Sequence, residues 1–154
     1  LMEWLPDNLP TEKPLCLVHG DFSLTNVIID NESDQVASIL DWELSTLGDP
    51  MADFSYHCLQ YKLNPILSDA VQCKNLGIPT EKEYVKLYAD KVDYYIDSEW
   101  DLYMSFNLFK LAGISQGIMG RVRDGTAAGV NAEETGMRAR LLAESAWDLV
   151  KDRT

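Results

Sequence analysis

The feature that most constrains this chain is where its strand-forming residues stop. Short β-rich runs at Leu15 to Val18, Val27 to Ile29 and Val36 to Leu40 are confined to its early part, and beyond Asp49 the character changes to helix. Between the second and third runs, Asp30-Asn31-Glu32-Ser33-Asp34 carries turn chemistry and predicts a hairpin with a polar tip. Strands this few and short cannot form a sheet domain. The expected class is α+β and mostly α, with a small antiparallel hairpin on a helical body.

The helical part has readable punctuation. Asp49 can accept orphan N–H groups of a first turn, and Pro50 lacks an N–H that would go unpaired, so a helix is expected from there to about Lys62, stopped by Asn64-Pro65. Thr80 and Glu83 form a capping box, and Tyr84, Tyr88, Val92 and Ile96 follow as one apolar stripe. The segment from about Trp100 to Met119 is apolar nearly all round, with Phe106, Phe109 and Ile114, and predicts a central buried helix. Near its end, Ala112, Gly113, Gly117 and Gly120 would admit another backbone, and Arg121 to Gly129 reads as a Gly-rich loop. Asn131 with Glu134 repeats the capping logic, and Met137, Leu141, Ala146 and Leu149 stripe the last helix.

With 154 residues the expectation is one domain over residues 1–154, with a hairpin part at about 15–45 and a helical bundle at about 49–152. Thirteen basic residues against 25 acidic ones give a net charge of −12, which supplies no cationic surface for a phosphate backbone, so nucleic acid is not expected as a partner. No stretch approaches the roughly 20 apolar residues of a bilayer-spanning helix, so no membrane partner is expected either. Cys16, Cys58 and Cys73 are odd in number and lack CxxC spacing, which suits reduced thiols, small core residues and a cytoplasmic setting. The opening Leu1 to Pro14 has neither the basic nor the apolar region of a secretory signal, and the sequence reads as beginning within a longer protein.

The chemistry concentrates in three runs: His19-Gly20-Asp21-Phe22-Ser23-Leu24-Thr25-Asn26, then Ile39-Leu40-Asp41-Trp42-Glu43, then Gly48-Asp49-Pro50-Met51-Ala52-Asp53. An acid at Asp21, an amide at Asn26 and a second acid after a strand at Asp41 suit phosphoryl transfer, which asks of a protein an oriented nucleophile and a divalent cation on the phosphates. Mg²⁺ takes oxygen ligands, and a carboxylate with a side-chain carbonyl is a suitable pair. A hairpin sets Asn26, at the loop-to-strand edge, beside Asp41, just past the partner strand, and Asp21 then faces the same cleft.

The pattern HGDxxxxN followed by LDWExxxxGDPxxD resembles the aminoglycoside phosphotransferase and choline kinase family, and within it the phosphotransferase-like domain associated with acyl-CoA dehydrogenases. The motif resemblance covers roughly Leu15 to Tyr61. It implies a protein-kinase-like C-terminal lobe and an ATP-dependent transfer of the γ-phosphoryl group to the hydroxyl of a small molecule, such as a hydroxyacyl compound. By the same resemblance, Asp21 is the catalytic base, and Asn26 and Asp41 are the Mg²⁺ ligands and hence the ATP-binding groups. His19 braces the catalytic loop, and Asp49 and Asp53 cap and support the following helix. Close relatives often have a basic residue at Ser23 and an Asp at Thr25. The residues before His19 are too few for the nucleotide lobe of such enzymes, so the chain is read as the C-terminal lobe alone, inactive by itself and open to self-association on the uncovered surface.

Other readings stand beside this one. A kinase-like module could bind without turnover, or the chain could be an inactive fragment of a kinase. A metal-dependent hydrolase would use Asp21, Asp41 and His19 as ligands. For single residues plainer roles are favoured: Asp49 as a helix cap, His19 as a structural histidine, Glu43 as a solvated acid, Trp42 and Trp100 as core or lid aromatics, and Arg121 and Arg123 as a solvated pair.

Overall fold

The computed structural model describes residues 1–10, 15–92 and 99–153, which divide into two compact units, one of residues 15–92 and one of residues 1–10 with 99–153. No helix among the described residues is long and apolar enough to cross a membrane.

The unit of residues 15–92 holds the strands found among the described residues. In order they are β1 (Cys16–Val18), β2 (Val27–Ile29), β3 (Val36–Ile39) and β4 (Thr46–Gly48). They form two separate antiparallel ribbons. Strands β2 and β3 make the hairpin, with Val27 opposite Ile39, Ile28 opposite Ser38 and Ile29 opposite Val36. Asp30 ties the polar tip by accepting from the Glu32 N–H at 3.1 Å and the Ser33 hydroxyl at 2.5 Å. Strand β1 instead pairs with β4, Leu17 opposite Leu47. The sequence reading lacks β4, because three residues ending in glycine carry no alternation; its partner lies far back in the chain.

Helix α2 (Pro50–Cys58) follows β4, with Asp49 accepting from the Met51 N–H at 2.9 Å and Pro50 in the first turn. The helix expected to run to about Lys62 is broken at Leu59, and α3 (Gln60–Leu63) continues it to the stop at Asn64. A short α4 (Ala70–Asn75), capped by Asp69, was not anticipated. The capping box of α5 (Glu81–Val92) forms: Glu83 accepts from the Thr80 N–H at 2.8 Å, and Thr80 Oγ1 accepts from the Glu83 N–H at 3.4 Å. Tyr84 and Tyr88 pack on Phe54 of α2, Tyr88 stacked at 3.8 Å between ring centroids, whereas Val92 is exposed; Ile96 lies outside the described residues. Met51, Phe54, Cys58, Leu59 and Cys73 are buried here, and Cys16, expected in the core, is exposed on β1.

The second unit contains α1 (Trp4–Asp7), α6 (Trp100–Arg123), α7 (Ala132–Met137) and α8 (Ala139–Asp148). Trp4 meets Trp147 edge to face at 6.3 Å, and the Ser105 hydroxyl donates to the Ala146 carbonyl at 2.8 Å, joining α6 to α8. Four expectations change. Phe106 and Ile114 of α6 are exposed. Nothing described comes within 4 Å of a Cβ built at Gly113 or Gly120; the close approach is at Gly136, whose Cβ would lie 2.9 Å from Met119. Asn131 makes no side-chain cap, since Glu134 pairs with Arg138 at 2.7 Å instead. On α8 the buried residues are Leu142 and Ala146, with Val150 buried just past its end; Ala146 is in place as expected, whereas Met137 and Leu141 are exposed, because a turn at Arg138 separates α7 from α8.

Candidate active site

The site grows from the end of β1. Val18 and His19 are buried, and the chain then turns at Gly20, which sits at φ +84°. A Cβ there would stand 2.5 Å from the Leu44 carbonyl oxygen, so glycine is required by conformation and by space. The loop is then fastened from α2. The main-chain N–H groups of His19 and Gly20 both donate to the Asp53 carboxylate, the second at 2.9 Å.

The His19 ring is fully engaged. Its Nε2–H donates to the Leu40 carbonyl at 2.7 Å, and its Nδ1 accepts the Asp21 N–H at 3.3 Å. A carbonyl can only accept and a main-chain amide can only donate, so the neutral Nε2–H tautomer meets both needs. The ring also packs on Trp42, 4.8 Å between centroids. With both nitrogens occupied, His19 has no lone pair for a metal. Among the described residues no three His, Cys, Asp or Glu side chains gather as a metal site, so the hydrolase reading lacks its ligands.

Asp21 and Asn26 are held face to face. The Asn26 amide donates from Nδ2 to the Asp21 carbonyl at 2.9 Å and, more weakly, to its carboxylate at 3.4 Å. Asn26 ends a 3₁₀ turn over Leu24–Asn26 and leads into β2, and its own carbonyl accepts the Leu40 N–H at 2.8 Å. Asp41 is the next residue. It adopts the left-handed conformation at φ +65°, which aspartate tolerates better than most residues, and its carboxylate is exposed and caps nothing. Hairpin register therefore sets Asp41 one residue beyond the partner of Asn26. Glu43 is exposed in the turn over Trp42–Leu44, and Asp49 stays at its helix cap.

Two hydroxyls complete the loop: Ser23 and Thr25 hydrogen-bond to each other at 2.7 Å. The stretch from Pro14 to Tyr61 contains eight acidic residues and no Lys or Arg. A phosphate group approaching it needs a cation to offset that field. The donor set suits one: the Asn26 N–H groups are spent on Asp21, its Oδ1 takes no hydrogen bond among the described residues, and the Asp41 carboxylate is open. Two hard oxygen donors with room for water and phosphate oxygens fit Mg²⁺.

Sequence reasoning missed two residues of α2. Tyr56 is half-buried on α2, and burial, then the influence of the Asp21 carboxylate, push its phenol up to about 12. His57 lies against Phe22 at 5.3 Å and meets the Tyr84 hydroxyl through Nε2 at 3.2 Å, while its buried Nδ1 has no partner among the described residues; burial holds its pKa below the usual value. Helical spacing from Asp53 is the signal that could have found both, since residues three and four apart share a face.

Residues 1–79 match the model of the phosphotransferase enzyme family. A crystal structure of a chain assigned as an aminoglycoside phosphotransferase, from Ralstonia eutropha, superposes with a TM-score of 0.89 at 42% identity, covering 98% of this chain and 47% of that one. Mouse acyl-CoA dehydrogenase family member 10 is 42% identical over 153 residues, 96% of this chain, and mouse acyl-CoA dehydrogenase family member 11 is 35% identical over 158 residues, 98% of this chain. The chain spans only 14% and 20% of those two relatives. The fold is that of a kinase-like phosphotransferase C-terminal lobe, and this chain belongs to the phosphotransferase enzyme family.

Proposed function

We propose that these residues serve an ATP-dependent phosphotransferase that moves the γ-phosphoryl group to the hydroxyl of a small molecule. The observation that supports this reading is the Asn26 amide bonded to Asp21 together with the hairpin register that sets Asp41 one residue beyond the partner of Asn26. Asp21 accepts the acceptor's hydroxyl proton as its oxygen bonds to the γ-phosphorus; the bond to the β–γ bridging oxygen breaks and ADP leaves. Asn26 Oδ1 and the Asp41 carboxylate would hold Mg²⁺, which supplies charge neutralisation to the phosphates when bound. His19 keeps the loop in register through its two ring bonds, and Asp53 holds the loop's main chain.

Because the relatives are acyl-CoA dehydrogenase family members, we take the acceptor to be a hydroxyacyl compound. Three free cysteines agree with a reducing, cytoplasmic setting. The test uses the full-length protein with Mg-ATP and a panel of hydroxyacyl-CoA thioesters, following ADP release and the ³¹P spectrum of products. Asp21→Asn should lower turnover by about 100-fold or more, the range for loss of a general base. Equal turnover in the two proteins would refute the reading.

One observation favours a second reading, a kinase-like module that binds nucleotide without transfer. Ser23 and Thr25 hydrogen-bond each other, so neither position puts a cation beside the proposed base. Calorimetry showing Mg-ATP binding, with no phosphorylated product from any acceptor, would select it.

A further inference from the structure

A row of rings runs beneath the catalytic loop. Phe22, the residue after Asp21, has its ring centroid 6.1 Å from His19 of the same loop and 5.3 Å from His57 of α2, and His57 in turn stands 5.7 Å from Tyr84 of α5. These separations are those of favourable aromatic pairs, so His57 is the ring through which α2 and α5 support Phe22. It lies one turn beyond Asp53, which takes the Gly20 N–H at 2.9 Å.

On packing grounds alone a histidine is a poor choice for that place. Its Nε2 meets the Tyr84 hydroxyl at 3.2 Å, but its Nδ1 is buried with no partner among the described residues. Either neutral tautomer leaves Nδ1 unsatisfied, as an N–H or as a lone pair, and a phenylalanine would fill nearly the same space without that cost. What phenylalanine lacks is a proton to gain. The imidazolium carries an N–H at both nitrogens and a charge that this packing desolvates, so the protonated ring is favoured only once it leaves Phe22. The acids on the surrounding elements are engaged: Asp53 by the loop's main chain, Glu81 by Lys62 at 2.9 Å, Glu83 by Thr80, and Asp21 by the Asn26 amide. The next group on α2, the Cys58 thiol, is held protonated by burial.

We propose that His57 is an acid-sensitive support of the catalytic loop: its neutral ring backs Phe22 and steadies residues 19–26, which present Asp21, and its protonation withdraws that support. The bearing of this on phosphoryl transfer rests on the reading of Asp21 as the base. Burial favours the neutral ring, so the support holds at neutral pH and is lost in acid.

The test is amide hydrogen exchange, read by mass spectrometry on the full-length protein as wild type and His57→Phe at about pH 7.5 and about pH 5.5, with rates corrected for the intrinsic effect of pH. The amides of Gly20, Asp21 and Asn26 report on the loop through their bonds to Asp53, the His19 ring and the Ser23 carbonyl, and α8 is the reference. In wild type, exchange across residues 19–26 should rise on acidification by about 10-fold, the ratio for a ring that takes a proton at its ordinary pKa near 6.5 when released but not when held. In His57→Phe that rise should be lost. Both proteins keep His19, so the difference between them belongs to position 57. Equal exchange at the two pH values in wild type overturns the proposal, as does an equal rise in the two proteins. A rise shared by α8 is general loosening and overturns it too. If His57→Phe folds poorly, His57→Gln, which also takes no proton, replaces it in the same comparison. Turnover decides a separate matter: exchange that behaves as expected, with ADP release from Mg-ATP unaffected by Asp21→Asn, overturns Asp21 as the base and leaves the loop support standing.

Discussion

Replacing Gly20 by alanine should do far more damage than replacing Gly77, although both have positive φ, +84° and +69°, within the same compact unit. The comparison separates two costs. A left-handed conformation costs an L-residue about 1–2 kcal/mol, partly offset by the gain of about 0.4–1 kcal/mol from removing glycine's freedom in the unfolded chain. At Gly77 a Cβ meets nothing within 4 Å, so that difference is the whole effect, about 1 kcal/mol. At Gly20 the same strain is joined by a Cβ 2.5 Å from the Leu44 carbonyl oxygen and 3.0 Å from the Leu44 Cβ. Both partners are fixed by the chain and cannot swing aside. Overpacking of this kind adds about 1–3 kcal/mol, which brings Gly20→Ala to about 2–4 kcal/mol.

Relief of that contact has a functional consequence. Leu44 closes the turn that begins at Asp41, so moving either side separates Asp21 from Asp41. Urea unfolding of both variants measures the stability cost, read as a shift in midpoint at unchanged m. Turnover with Mg-ATP measures the second cost, expected for Gly20→Ala only. If Gly20→Ala is no less stable than Gly77→Ala, the close approach of the two loops is refuted.

Asp49→Ala should cost about 1 kcal/mol as a lost N-cap yet reduce turnover, because the first turn of α2 carries Asp53 toward the catalytic loop. Asp69→Ala, which uncaps α4, should cost a similar amount with turnover intact; equal loss of turnover in both would refute the coupling. The lowered pKa of His57 means that the unfolded chain binds a proton more readily than the folded one. Stability is therefore complete above the unfolded value near 6.5 and falls as pH drops toward the folded pKa; His57→Phe should flatten that limb of a melting-temperature profile, and an unchanged profile would remove the burial argument. Leu17 and Leu47, paired across β1 and β4, are 66% and 68% exposed, so the 154-residue chain should self-associate through this face. Light scattering should show Leu17→Ser with Leu47→Ser as the smaller species, and a monomeric parent chain would refute the expectation.

What was legible followed range. The hairpin at Asp30 to Asp34, the Asp49-Pro50 helix start and the Thr80/Glu83 capping box are made by residues a few positions apart, whose chemistry is complete locally. Strand β4 was not legible because its identity comes from pairing Leu47 with Leu17, and α4 because six residues give no usable period. The stripe on the last helix failed for a related reason. Ala146 is buried as expected, but the break at Arg138 ends α7 and puts Leu142 and Val150, rather than Met137 and Leu141, among its buried neighbours. At the site, the motif spacing marked Asp21, Asn26 and Asp41, but their supports on α2 were partly hidden, since His57 in isolation reads as an ordinary helix residue.

That division has a physical basis. A loop bearing a carboxylate, an amide and a glycine in the left-handed region has little internal structure of its own: the Gly20 conformation is strained for any other residue, and the main-chain N–H groups of His19 and Gly20 donate to the side chain of Asp53. Such a loop is ordered by whatever rigid element lies beneath it. Here that element is α2, and positions 53, 56 and 57 share one face because successive residues advance by roughly 100°. The loop and the helix therefore form one unit. The motif at residues 19–26 carries the groups proposed to react, while the geometry that holds them is written some thirty residues later, in a helix whose start at Asp49-Pro50 fixes the phase of Asp53 and His57.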